Sequence, residues 1–140
     1  MIHVALFGFG RIGQMHAANL SKHKEIKILY VYEKLSHLNK KAKKLYKCII
    51  ENKYYKIFSD KRVDIVFICS PTNTHIKLIE EAIKNKKTIF CEKPLDLNIN
   101  KIIKTFKKVK KLKPKIQLGF NRRYDPTHFS IKKSLDKNKI

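Results

Sequence analysis

Apolar residues recur along this chain in two rhythms that take turns. Short apolar runs occupy residues 2–7 (IHVALF), 26–32 (IKILYVY), 54–58 (YYKIF), 63–70 (VDIVFICS), 87–92 (KTIFCE) and 115–120 (KIQLGF), each of a length suited to a strand. Between most of these runs the apolar positions fall three and four apart, which places them on one face of a helix. Ile12, Met15, His16 and Leu20 share such a stripe over residues 11–21; Leu38, Ala42 and Leu45 do so over 35–48, and Ile76, Ile79 and Ile83 over 74–85. Residues 98–112 carry Ile99, Ile102, Ile103, Phe106 and Val109, which predicts a helix burying that face and stopping before Pro114. Another helix begins after Asp125. Strands alternating with helices imply βαβ units, hence an α/β fold with a doubly wound parallel sheet covered on both faces. No repeat or linker interrupts the pattern, so residues 1–124 read as one domain.

The glycines add chemistry to this outline. Of the four in the chain, Gly8, Gly10 and Gly13 fall in one turn, FGFGRIG, between the first strand and the first helix. G-x-G-x-x-G in that setting is a dinucleotide-binding fingerprint. The first glycine makes the turn, the second leaves room for a pyrophosphate, the third lets the helix pack on the sheet, and free N–H groups at the helix start attract the phosphates. Phe9, Arg11 and Ile12 complete the turn. Glu33 follows the second strand, about 20 residues further on, where a carboxylate accepts hydrogen bonds from both hydroxyls of an adenosine ribose. That choice favours NAD, while Lys34 beside it leaves NADP possible.

Charge changes the picture less than its size suggests. The balance of 33 basic and 11 acidic residues gives +22, a value that ordinarily points to nucleic acid or an anionic membrane. Only Arg11, Arg62, Arg122 and Arg123 are arginines, however, and base-edge readout leans on bidentate arginine. The lysines are spread along the whole chain, as a solvated surface would have them, so no specific nucleic-acid partner is expected and a polyanion-binding protein is the weakest functional alternative. No apolar run approaches the roughly 18 residues that span a bilayer. The chain opens directly into a strand with no signal-peptide pattern, and a cytoplasmic location is expected. Cys48, Cys69 and Cys91 are odd in number and lack CxxC spacing, which argues against a disulfide framework or a metal site. Cys69 and Cys91 read as small core residues.

Two later segments carry a family likeness. CSPTNTH (69–75) and CEKPL (91–95), taken with GFGRIGQMHAANL (8–20) and GFNRRYDP (119–126), resemble the N-terminal domain of the Gfo/Idh/MocA oxidoreductases. The GFNRRYDP segment is most similar to inositol 2-dehydrogenases, and the resemblance runs from residue 1 to about residue 135. It implies hydride transfer between a polyol or sugar hydroxyl and NAD(P). It further implies that Ser70, Pro71, Thr72, Asn73 and His75 pack on the nicotinamide ribose. Glu92, Lys93 and Pro94 match an E-K-P motif whose lysine, the catalytic candidate, meets the substrate hydroxyl and whose proline is often cis. A lysine at the carboxyl end of a strand, partly desolvated, is suited to orient that hydroxyl or relay its proton. Asn121 and Arg122 are candidates for the substrate side. His16 is expected to serve packing or the surface, and His75 to cap or position.

The chain departs from the family pattern in two places. Only residues 59–62 separate YYKIF from VDIV, where the family has a short helical segment, and this implies an altered wall on the adenine side. Residues 125–140 are expected to start a crossover helix into a second domain that is absent, together with its sugar-binding sheet, its proton-relay aspartate and histidine, and the oligomer contacts. An oxidoreductase represented by its cofactor half is therefore weighed against a non-catalytic, dinucleotide-binding remnant.

Overall fold

Six parallel strands form one sheet in the computed structural model, which describes residues 1–136, with the order β3-β2-β1-β4-β5-β6. The strands are β1 (Ile2–Phe7), β2 (Ile26–Tyr32), β3 (Ile49–Ile50), β4 (Ile65–Ile68), β5 (Thr88–Cys91) and β6 (Ile116–Leu118). The helices are α1 (Arg11–Leu20), α2 (Ser36–Tyr46), α3 (Tyr54–Ser59), α4 (His75–Lys84), α5 (Ile99–Val109) and α6 (Pro126–Asp136). The winding reverses at β1, whose neighbours are β2 and β4. Such a reversal opens a crevice at the carboxyl ends of the central strands.

β1 is covered on both faces, as an unbroken apolar run requires. Ala5 and Phe7 join Ile57, Phe58, Val66, Ile68, Ile79 and Ile83 on one side of the sheet. Leu6 joins Phe9, Ala17, Val31, Ala42 and Cys48 on the other. Ahead of β4 a polar cluster pins the sheet: Tyr30 donates to Asp60 (2.8 Å), Arg62 donates to both Asp60 oxygens, and Lys87 donates to the carbonyls of Asp60 and Val63.

Two expectations are corrected. YYKIF is helix α3, not a strand. Ile57 and Phe58, adjacent residues that a strand would point to opposite faces, are both buried here, and Phe58 stacks on Phe7 at 4.9 Å with the Tyr54 ring, one turn back, at 6.2 Å. The third strand lies earlier, at Ile49–Ile50, beyond Lys47 in the left-handed region (φ 50°). With α3 in place, the interval that had looked short holds its helical segment. The stripe of α5 is the second correction: Ile99 is 63% exposed and Ile103 45%, and only Thr105 is buried, bonded to Glu80 at 3.0 Å. α5 leans on α4 near the β6 edge, where only part of its apolar face finds cover. The expected helix after Asp125 is α6; the remainder of that expectation, residues 137–140, lies outside the described residues. No helix among the described residues is long and apolar enough to cross a membrane.

Candidate functional site

The glycine turn is built by exclusion at two positions and by space at the third. Gly8 leaves β1 at φ +88°, and a Cβ there would lie 2.7 Å from the Cys69 carbonyl and the Ser70 backbone. A Cβ on Gly13 would strike the Gly8 carbonyl oxygen, so α1 can sit against the turn only without one. At Gly10 a Cβ would meet nothing within 4 Å. Gly10 is also the N-cap of α1, with no side-chain cap and no acidic residue in the first turn. The opening N–H groups of α1 are thus left for an anion in the open space beside Gly10. Room and donors together fit a pyrophosphate.

Glu33 closes the turn from the side. Its carboxylate accepts N–H bonds from Phe9 (2.7 Å), Lys34 (2.7 Å) and Leu35 (3.0 Å). Phe9 itself is fully buried, packed edge-on against Tyr46, so its backbone alone belongs to the site.

A cleft of about 610 Å³ continues across the carboxyl ends of the strands, lined by Arg11, Ile12, Ser70, Pro71, Thr72, His75, Glu92, Lys93 and Asn121. The turn after β4 is locked by Ser70 Oγ on Thr74 Oγ1 (2.7 Å) and by Thr74 Oγ1 donating to the Pro71 carbonyl (2.7 Å). His75 is buried, with each ring nitrogen 2.8 Å from a backbone carbonyl, Nδ1 from Pro94 and Nε2 from Ser70. One ring therefore ties the loop after β4 to the loop after β5, the positioning role expected of it. The Lys93–Pro94 peptide is cis.

Glu92 is held from three sides. His16 Nε2–H donates to its Oε1 at 2.8 Å, the Lys93 N–H donates to its Oε2 at 3.3 Å, and a Cβ on Gly119 would come within 3.0 Å of the carboxylate. Among the described residues, the side chains of Lys93 and Arg11 make no hydrogen bond or ion pair, though both line the cleft. Cys69 packs against the core beside Leu6 and Phe9, as expected, and is half-buried in the cleft wall; burial, then the Glu92 carboxylate and Cys91, push its thiol up to about 12. Such a thiol stays protonated and unreactive near neutral pH. Cys91 is buried as expected.

Not every candidate reaches the cleft. Asn73 is exposed outside it, and Arg122 turns to Asp125 (3.4 Å). Pro94 contributes its carbonyl through His75. Met15, Phe90, Gln117, Phe120, Tyr124 and His16 line the cleft without having been singled out for it. His16 does pack as expected, its ring 4.9 Å from that of Phe90, but it also bonds Glu92, 76 residues away, a contact that helical spacing cannot announce.

Known proteins match this geometry. A family model described as "Oxidoreductase family, NAD-binding Rossmann fold" covers residues 2–120. The chain belongs to the Gfo/Idh/MocA family. The inositol 2-dehydrogenase of Rhizobium meliloti (strain 1021) is 34% identical over 139 residues, 99% of this chain and 42% of that protein. The myo-inositol 2-dehydrogenase of Thermotoga maritima is 35% identical over 144 residues, again 99% of this chain and 42% of that one. Among solved structures, scyllo-inositol dehydrogenase from Lactobacillus casei with bound cofactor NAD(H) and scyllo-inositol superposes at TM-score 0.91 with 31% identity, covering 100% of this chain and 42% of that chain. The Gfo/Idh/MocA chain described here therefore spans about two fifths of the length of these relatives. Its cofactor is NAD, as the NAD-binding domain of the family has it, and the turn with its open N-cap leaves room for such a dinucleotide.

Proposed function

We propose that this chain is the cofactor half of an NAD-dependent dehydrogenase that oxidises a secondary hydroxyl of an inositol-class polyol. One observation carries the reading: the start of α1 beside the open, uncapped glycine turn, at Arg11 and Ile12, and Lys93, whose side chain has no partner among the described residues, share a single cleft. Bound NAD supplies the hydride acceptor. Arg11 and the first N–H groups of α1 hold the pyrophosphate, and Glu33 holds the adenosine ribose diol. The locked turn Ser70–Thr72, with His75 behind it, flanks the nicotinamide ribose. Lys93 donates to the substrate oxygen, orienting the hydroxyl and stabilising the negative charge that grows on it as its proton leaves. Asn121 lines the same end of the cleft, whereas Asn73 and Arg122 take no part. Residues 1–124 form the dinucleotide-binding domain, residues from 125 onward lead toward the substrate domain, and the protein works in the cytoplasm on a small molecule.

Calorimetric titration with NAD tests the first half of this reading, at about 150 mM salt to screen the lysine surface. Saturable binding that Gly10→Arg abolishes is expected; no binding by folded wild-type chain would refute it. The second half is tested by following NADH formation from inositol with a relative's substrate domain supplied. Binding without turnover in that assay would leave a dinucleotide-binding module and remove the dehydrogenase.

A further inference from the structure

Glu92 and Lys93 are adjacent, oppositely charged and in the same cleft, yet they do not pair through their side chains. The carboxylate is instead turned onto α1. His16 Nε2–H takes Oε1 at 2.8 Å, the Lys93 backbone takes Oε2 at 3.3 Å, and the flat face of the group lies over Gly119, where a Cβ would crowd it at 3.0 Å. His16 is set for this by packing. Its ring stands edge-on to Phe90 at 4.9 Å and tilted to Phe67 at 5.8 Å, and those two rings stack on each other at 4.6 Å. The His16 and Glu92 side chains are 17% and 19% exposed, dry enough for a charge-assisted bond to hold the carboxylate firmly and for the loss of its donor to be felt. A carboxylate so stripped turns to a cation within reach, and the neighbouring residue carries one.

We propose that His16 is a positioning residue: it seats the Glu92 carboxylate against Gly119 and thereby leaves the Lys93 ammonium free in the cleft. This deepens the proposed function, since it rests on Lys93 as the group that meets the substrate hydroxyl. In the reaction His16 touches neither polyol nor hydride; it acts by keeping Glu92 from capturing Lys93.

The test reads the lysine directly, on the whole chain and with no nucleotide present. Acetylation by an amine-reactive ester requires the unprotonated amine, and peptide-resolved mass spectrometry gives the rate at each lysine. His16→Phe keeps a ring against Phe90 and removes the donor; His16→Gln removes the ring and returns an N–H near the same point. A carboxylate drawn beside an ammonium favours its protonated form, so Lys93 is expected to acetylate roughly tenfold more slowly in His16→Phe. His16→Gln and the double variant His16→Phe/Glu92→Gln are expected to restore the wild-type rate, with exposed Lys24 and Lys104 unchanged throughout. Should His16→Phe not fold, His16→Ala carries the same expectation. An unchanged Lys93 rate in a folded donor-less variant would overturn the proposal, as would His16→Gln slowing Lys93 as much as His16→Phe does. Failure of NAD to bind would strike the proposed function and leave this labelling pattern standing, so the two failures are distinguishable.

Discussion

Glu33→Ala asks whether one carboxylate both shapes the glycine turn and selects the cofactor. Of its three N–H donors, those of Lys34 and Leu35 belong to exposed residues and hydrate when the carboxylate goes. The third belongs to Phe9, whose side chain is fully buried. A donor stranded in such a place costs about 1–3 kcal/mol. For a chain of this length a loss of about 2 kcal/mol lowers Tm by about 7 °C. Binding should fall further than folding. Two charge-assisted bonds to the ribose diol are worth roughly 3 kcal/mol at the low end, which weakens NAD by about 100-fold. With the negative charge removed, the 2′-phosphate of NADP meets less repulsion, so the preference for NAD over NADP should shrink. Scanning calorimetry gives the first number and isothermal titration with each nucleotide the second. A fallen Tm with unchanged NAD affinity would refute the ribose role; unchanged Tm would refute the clamp on Phe9.

The other glycine and cleft residues make separable predictions. Gly10→Ala meets no neighbour, so Tm should hold while NAD affinity drops about tenfold, the equivalent of one lost contact of about 1.4 kcal/mol; Gly13→Ala, forced onto the Gly8 carbonyl, should lose about 3 kcal/mol of stability. His75→Leu leaves the Ser70 and Pro94 carbonyls without their partner and should cost about 2–4 kcal/mol in a denaturant titration, and equal stability would show that the ring is not the tie between the loops. Bonds from Arg62, with the Tyr30 hydroxyl helping, hold the Asp60 carboxyl well below the usual carboxylate range. Its stabilising contribution is therefore full above the unfolded value of about 3.9 and is lost as pH falls through the folded one. Asp60→Asn should be less stable than wild type near neutrality, with denaturation midpoints that converge in strong acid; a gap that stays constant would contradict this.

What the sequence disclosed depended on how local the cause was. The glycine turn was legible because strand, turn chemistry and helix start coincide within a few residues, and Glu33 because β2 delivers it to the turn it clamps. α3 was not legible. Its four aromatic and branched residues, Tyr54, Tyr55, Ile57 and Phe58, suit either structure, and the contact of Phe58 with Phe7, 51 residues away, decides the matter. Periodicity in α5 marked which face is apolar but carried no information on how much of it the β6 edge would cover. Asn73 and Arg122 stand inside well-formed motifs, and motif membership says nothing of which way a side chain turns. The bond between His16 and Glu92 lay beyond reach for a simpler reason: packing alone accounted for the stripe on α1, so nothing remained to be explained.

Gly8, Gly10, Gly13 and Gly119 are all the glycines in the chain; Gly119 lines the cleft, and the other three form the turn that leads into it. Elsewhere, wherever water is the neighbour, the sequence has accepted lysine with little discrimination. Three glycines stand where the volume of a methyl group is already claimed by the protein, by a turn, a carbonyl or the Glu92 carboxylate, and the fourth stands where that volume is reserved for a guest. Such sites behave as fixed type in a page otherwise set in lysine: the exterior can carry any solvated side chain while the hollow keeps its outline, drawn by the residues that have none.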